Sequence, residues 1–395
     1  MIYIDSETKK LEKIIVHEPG EELINLTPGL MDEFLFDDIP FLDEAIKEHR
    51  FFVECLKKEG VEVYYLKDLL ISIFESEVVR GEFIEEFLNE TNIFNTVVNA
   101  HLSDYLYSLD KKNLVNVVIS GLKKVDFNRF EKKSLEDHLD VHPFLLLPMT
   151  NLYFMRDPGI VVKDLLINST MSNNVRQRET ILLEYIYKYH PLFKDNEVIS
   201  TRYEVSPLEG GDLLVINSEL VLIGISERTK PHSIDVLSDK LLKDANFKYV
   251  LAVDIPKKRA FMHLDTLMTQ VNHHTFLVHP LIKDVTTYLI KKEQDEIVII
   301  KNSEKIIDCL SALMNKEVHF IKCGGDDLFA SYREQWNDGA NVMCIDENVI
   351  ISYARNTVTN KVLKEKGIRV IEIPSSELSR GRGGPRCMSM PIKRK

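Results

Sequence analysis

The chain has 395 residues, 44% hydrophobic and 28% charged, with 50 Lys and Arg against 62 Asp and Glu and a formal net charge of −12. That is enough for roughly two to three domains' worth of core, and the acidic balance argues against a nucleic-acid binder, whose footprint is basic. No apolar run approaches the ~20 residues that span a bilayer, and the start "MIYIDSETKKLEKIIVHEPG" lacks a signal-peptide core, so a cytoplasmic protein with no membrane partner is expected.

In chain order, "KIIVHEPG" (13–20) reads as a strand running into a turn. The next stretch, "NLTPGLMDEFLFDDIP" (25–40), holds no long element, and a loop over a site and a plain surface loop both remain open. From about 69 to 141, apolar residues recur at three- and four-residue spacing without strand-like alternation, which predicts several amphipathic helices. The expected division is a body of 1–68 and 142–395 with a helical unit, 69–141, inserted into it. Beyond it a pattern repeats: short apolar strand, turn, second strand, polar corner, helix. It runs through 159–189, 212–242 and 341–367, and more loosely from 13 and through 275–292. Five copies of roughly 40–50 residues predict radial repetition of small sheets with helices outside, and the rival is an ordinary α/β domain with accidental likeness.

Four polar stretches interrupt this apolar body: "NLYFMRDPG" (151–159), "SPLEGGDLLV" (206–215), "FMHLDTLMT" (261–269) and "GRGGPRCMSMP" (381–391). Singly each is weak. Asp157 before Pro158 can simply end a strand, Glu209 to Asp212 can be an acidic turn, and His263 with Asp265 can be structural. The glycines of the last stretch lack the spacing of a dinucleotide or P-loop motif, and too little chain follows for a phosphate-binding unit. No paired metal-ligand motif accompanies His263, so metal binding is the poorer reading. The five cysteines are scattered and form no C-x-x-C pair, so neither disulfides nor zinc are indicated. Cys55, Cys309, Cys323 and Cys344 sit in apolar contexts, whereas Cys387 follows glycines and arginine.

Taken together, a thiol, a histidine and the carboxylates Asp157, Glu209 and Asp265 make a site with excess negative charge, suited to a cation. A guanidinium pairs bidentately with carboxylates, a thiolate suits attack on its central carbon, and a histidine can move the protons. Arg176, Arg228 and Arg382 could hold an anionic end of the same substrate, although solvated surface charge is the plainer reading of any one of them.

These stretches, with "LFDDIPFLDEAIKEH" (35–49), "VRQRET" (175–180), "GISERT" (224–229) and "SYARN" (352–356), closely resemble the bacterial arginine deiminases of the guanidine-modifying, or pentein, superfamily. The resemblance implies a five-bladed α/β propeller with an inserted helical bundle. It implies conversion of L-arginine and water to L-citrulline and ammonia, with no metal or organic cofactor, in a homo-oligomer of dimeric or higher order. Carried onto this chain, Cys387 is the nucleophile and His263 the general acid/base. Asp157 and Asp265 hold the guanidinium, and Glu209 supports His263. Asn151, Arg176, Arg228 and Arg382 face the α-carboxylate and amino end. Met155 stands where the family usually has Thr, and Pro385 and Arg386, just before the cysteine, lie where the resemblance implies a variable position. The rivals are agmatine deiminase, dimethylarginine hydrolase, an amidinotransferase and a non-catalytic arginine-binding protein. The three arginines speak against agmatine, the helical insertion against the dimethylarginine enzymes, and the presence of Cys387 and His263 against a non-catalytic protein.

Overall fold

The computed structural model describes residues 2–91, 93, 96–127, 132, 135–202 and 206–395. Val- and Ile-rich runs such as Gly159–Val162 and Leu165–Asn168 are buried along their whole length, as expected of strands covered on both faces. They pair as an antiparallel hairpin, and Val198–Ser200 returns after the helix Glu179–Tyr189 to lie parallel to the second strand.

The same ββαβ unit recurs. Leu213–Asn217 and Leu220–Ile225 form a hairpin, helix Pro231–Lys243 follows, and Tyr249–Asp254 returns parallel. The hairpin turn is held by Asn217, whose Oδ1 accepts from the backbone N–H groups of Glu219 and Leu220. Met268–Asn272, Thr275–Val278, helix Ile306–Met314 and His319–Lys322 make a third unit. Met343–Asp346, Val349–Tyr353, helix Thr357–Glu365 and Arg369–Ile373 make a fourth. The last is split along the chain: Met390–Arg394 pairs antiparallel with Leu11–Val16, and Glu62–Tyr65 returns parallel to Leu11–Val16 after helix Leu42–Lys58.

One boundary of the sequence reading needs correction. The loose copy through 275–292 merges two units, because Thr286–Glu293 leaves the third and joins the second, antiparallel to Tyr249–Asp254, with Glu296–Lys301 beyond it. That edge strand is largely exposed and carries charges at both ends, which discourages edge pairing.

Between the split unit and the rest lie helices Leu66–Ile73, Glu77–Asn89, Thr96–Ser108 and Lys111–Ser120. Ser76 and Asp110 cap two of them through side-chain oxygens that accept from Val79 N and from Lys112 N and Asn113 N. Leu66–Ile73 and Glu77–Asn89 pack on helix Glu179–Tyr189, with Lys111–Ser120 against the first and Thr96–Ser108 against the second, and Phe83 meets Phe74, Phe87 and Tyr185 with ring centroids 4.8, 5.7 and 5.1 Å away. No helix among the described residues is long and apolar enough to cross a membrane.

Candidate active site

The turn just before the first strand of each unit carries a polar residue. Asp157 precedes Gly159–Val162, Glu209 precedes Leu213–Asn217, and His263 and Asp265 precede Met268–Asn272. Asn341 precedes Met343–Asp346, and Cys387 precedes Met390–Arg394. These turns meet. His263 Nε2 lies 2.8 Å from Glu209 Oε2, and its Nδ1 lies 3.7 Å from Asp157 Oδ1. Cys387 Sγ is 3.8 Å from Asp265 Oδ2, while Asn341 accepts from Cys387 N at 3.1 Å and donates to the Asp265 carbonyl at 3.2 Å. Asn341 was missed by the sequence reading, although its place in the fourth repeat, before "VMCID", was the available signal.

Glycine lets the turns come this close. A Cβ on Gly211 would stand 2.6 Å from the His263 ring, and one on Gly384 would stand 2.5 Å from the Asn341 carbonyl. The thiol itself is 5% exposed.

Asp157 and Asp265 are held alike. Asp157 Oδ2 accepts from Arg176 Nη1 at 2.6 Å, and Asp265 Oδ2 accepts from Arg386 Nη1 at 2.8 Å. The second oxygen of each, Oδ1, is buried with no hydrogen-bond partner. Arg176 is itself gripped by Glu179, at 2.9 to 3.1 Å. Two buried carboxylates each presenting one unsatisfied oxygen are a strong call for a cationic donor, because an unpaired buried acceptor is costly.

The four residues expected at the substrate's amino-acid end line the same narrow cavity with Asp157, His263 and Cys387. Arg228 Nη1 lies 3.7 Å from Glu209 Oε2. Arg382 takes the left-handed region at φ 62° and stacks its guanidinium 3.5 Å above the centre of the Trp336 ring. Its Nε and Nη1 are buried without hydrogen-bond partners. Asn151 donates to the Phe34 carbonyl at 2.8 Å. Leu35, from the 25–40 stretch, also faces the cavity. Met155 packs fully buried in the core.

The charges are strongly perturbed. Burial alone would pull His263 down, but Asp157, the bond to Glu209 and nearby Asp212 outweigh it and raise the imidazole to about 9. Glu209 is held well below the usual carboxylate range: burial pushes it up, and Arg228 and His263 overcome that. Burial, then Asp265, Asp157 and Asp338, push the Cys387 thiol far up. Both shifts favour the protonated forms, the thiol and the imidazolium. Asp157, Glu209 and His263 bring ligand-type atoms within 4.8 Å of one another, a spacing a metal ion could use. Of these groups, Glu209 Oε2 and His263 Nε2 are bonded to each other, whereas Asp157 Oδ1 accepts no hydrogen bond.

A thiol, a histidine and carboxylates presenting free oxygens, gathered at the starts of repeated ββαβ units, define the class: a guanidine-modifying protein of the pentein fold. Solved structures agree on the fold. An amidinotransferase from Microseira wollei is 15% identical with a TM-score of 0.57, covering 100% of this chain and 97% of that one. The DDAH of Pseudomonas aeruginosa is 15% identical with a TM-score of 0.54, covering 97% of this chain and 100% of that one.

The chain belongs to the arginine deiminase family, whose model matches residues 32–394. It is 42% identical to the arginine deiminase of Clostridium perfringens over 402 residues, covering 99% of this chain and 97% of the relative. It is likewise 42% identical to that of Borrelia garinii subsp. bavariensis over 400 residues, covering 100% of this chain and 98% of the relative.

Proposed function

We propose that the protein hydrolyses L-arginine to L-citrulline and ammonia, with Cys387 as nucleophile and His263 as acid and base. The observation that carries this is the meeting of Cys387 with two carboxylates, each arginine-held and offering one free oxygen, at a cavity also lined by Arg228 and Arg382. Asp157 and Asp265 take the substrate guanidinium. Arg228, Arg382 and Asn151 take the α-carboxylate and amino end; Arg176, expected there too, has its guanidinium committed to Glu179, Asp157 and the Phe154 carbonyl and is read as the wall behind.

The entering cation offsets the carboxylate field that keeps the thiol protonated, so the sulfur loses its proton to solvent as the guanidinium docks. The thiolate adds to the guanidinium carbon and forms a C–S bond. His263, present as imidazolium, gives its proton to one amino group, the C–N bond breaks, and ammonia leaves a thiouronium on Cys387. Neutral His263 then takes a proton from water as the water oxygen bonds to the same carbon. The C–S bond breaks, the thiolate leaves, and loss of the hydroxyl proton gives citrulline. Fixing the carbon against the sulfur is itself a large share of the acceleration.

The purified protein is expected to release citrulline and ammonia from L-arginine, and Cys387→Ser to abolish this. Citrulline from the serine variant would remove Cys387 from its role. Comparable turnover of agmatine, which lacks the carboxylate, would show that the arginines grip no anion and would favour the agmatine reading.

The same proposal includes the wider assembly. The five ββαβ units are read as blades of one propeller, supported by the convergence of their first-strand turns, and residues 69–141 as a helical unit inserted between blades. A cytoplasmic homo-oligomer is the expected form, checked by sedimentation of the purified protein.

A further inference from the structure

Arg386 is 1% exposed and makes no contact with the cavity, yet every bond it forms bears on the site. Its Nη1 donates to Asp265 Oδ2 at 2.8 Å. On the other side, Nε and Nη2 form a fork on the Glu7 carboxylate at 3.2 and 3.0 Å, and Nη2 also donates to the Leu213 carbonyl at 2.8 Å. Glu7 comes from the segment before the first strand, ahead of the residues the family model matches, and is fixed by its backbone N–H on the Val215 carbonyl at 2.7 Å. The chain Glu7–Arg386–Asp265 therefore mirrors Glu179–Arg176–Asp157 on the other side of the thiol. In each, a glutamate fixes an arginine, which pins one oxygen of an aspartate and leaves the other free.

We propose that Arg386, seated by Glu7, is a positioning residue for the reaction: it pins Asp265 Oδ2 and so aims the free Oδ1, beside Cys387, at the incoming guanidinium. This rests on the deimination reading above. The groups around Asp265 are Arg386, Arg156, Asp338 and the Cys387 thiol. Arg156 gives Asp265 no hydrogen bond; it donates to the Arg386 carbonyl and to Met343 Sδ. Burial, with Asp265 adding to it, raises the Asp338 carboxyl to about 7 against the pull of Arg382 and Arg355, and no carboxyl can serve Asp265 as a cation. Arg386 is the cation in direct contact. Without it, Asp265 Oδ2 keeps only the Cys387 thiol, 3.8 Å away, as a side-chain partner.

The test is kcat and KM for L-arginine in Arg386→Met, Arg386→Lys and Glu7→Gln, with the folded fraction measured beside them. Arg386→Met is expected to lower kcat/KM on the order of 100-fold with KM raised, because the carboxylate is no longer aimed at the substrate. Arg386→Lys returns a cation and a donor without the fork, and should regain part of that loss. Glu7→Gln loosens the arginine and should lower kcat about tenfold or less. Loss of folded protein alone would lower the rate per total protein with KM unchanged, and would not rank the variants in this order. Unchanged kcat and KM in folded Arg386→Met overturn the proposal, as does a lysine variant no better than the methionine one. If Arg386→Met does not fold, Arg386→Lys and Glu7→Gln decide: unchanged kcat/KM in both sinks it. If the unmodified protein forms no citrulline, the reaction reading fails first. The same variants are then read by arginine affinity, which must fall in the same order.

Discussion

At the scale of single residues, the site is built from groups that are half satisfied. Glu209 is the clearest lever on acid–base chemistry, since it bonds His263 Nε2 at 2.8 Å and helps hold the imidazole at about 9. Glu209→Gln removes that anion, so the alkaline limb of kcat is expected to move to lower pH, measured as citrulline release against pH. Arg228 and Arg382 answer to a different readout. Replacing either by Ala should cost about 1.5–3 kcal/mol, on the order of 10- to 100-fold in kcat/KM for arginine, while agmatine turnover stays unchanged. Equal losses on both substrates would mean that these arginines shape the cavity and do not grip a carboxylate. The sequence made the candidate set legible because its residue types are rare and chemically coherent. It could not give the stacking of Arg382 on Trp336, since the two meet only through tertiary packing. Arg386 and Glu7 were hidden for the same reason: they stand at opposite ends of the sequence and pair only in the folded chain.

At the scale of elements, what matters is how closely turns approach. Gly211→Ala would drive a methyl into the His263 ring, whose nearest atom would stand at 2.6 Å. The expected result is a kcat reduced by on the order of tenfold or more through a displaced general acid, with the thermal midpoint little changed. In the helical segment the arithmetic reverses. Phe83 is fully buried against three aromatic rings, and Phe83→Ala should cost about 3–5 kcal/mol by leaving a cavity, with kcat of the folded fraction retained. Denaturant titration beside activity separates the two. Hairpin and helix were readable together wherever they are contiguous, as in 159–189, 212–242 and 341–367. The reading slipped at 275–292, because period and composition do not say which sheet a strand joins, and Thr286–Glu293 is as strand-like as its neighbours.

At the scale of the whole molecule, buried charge sets the pH range of stability. His263 folds with a value of about 9 against an ordinary 6.5, so its contribution is complete below about 6.5 and is lost as pH rises through 9. Glu7 runs the other way. Burial pushes it up, but Arg386 and Arg156 bring it down to about 2 from 4.5, so its contribution is present above 4.5 and is lost as pH falls through 2. As far as these two groups decide it, the thermal midpoint should be highest between about 4.5 and 6.5 and decline on both sides. Glu7→Gln should flatten the acid side alone. The sheet that joins Leu11 to Arg394 carries a further consequence, for the order in which the chain acquires its properties. Cys387 lies just before Met390–Arg394, so the thiol reaches its place only when strands from opposite ends of the sequence have met. Such a distant pairing carries a large loop-closure cost and forms slowly. In refolding from denaturant, helical signal should therefore return well before turnover, and the interval between them measures the time the two ends take to find each other.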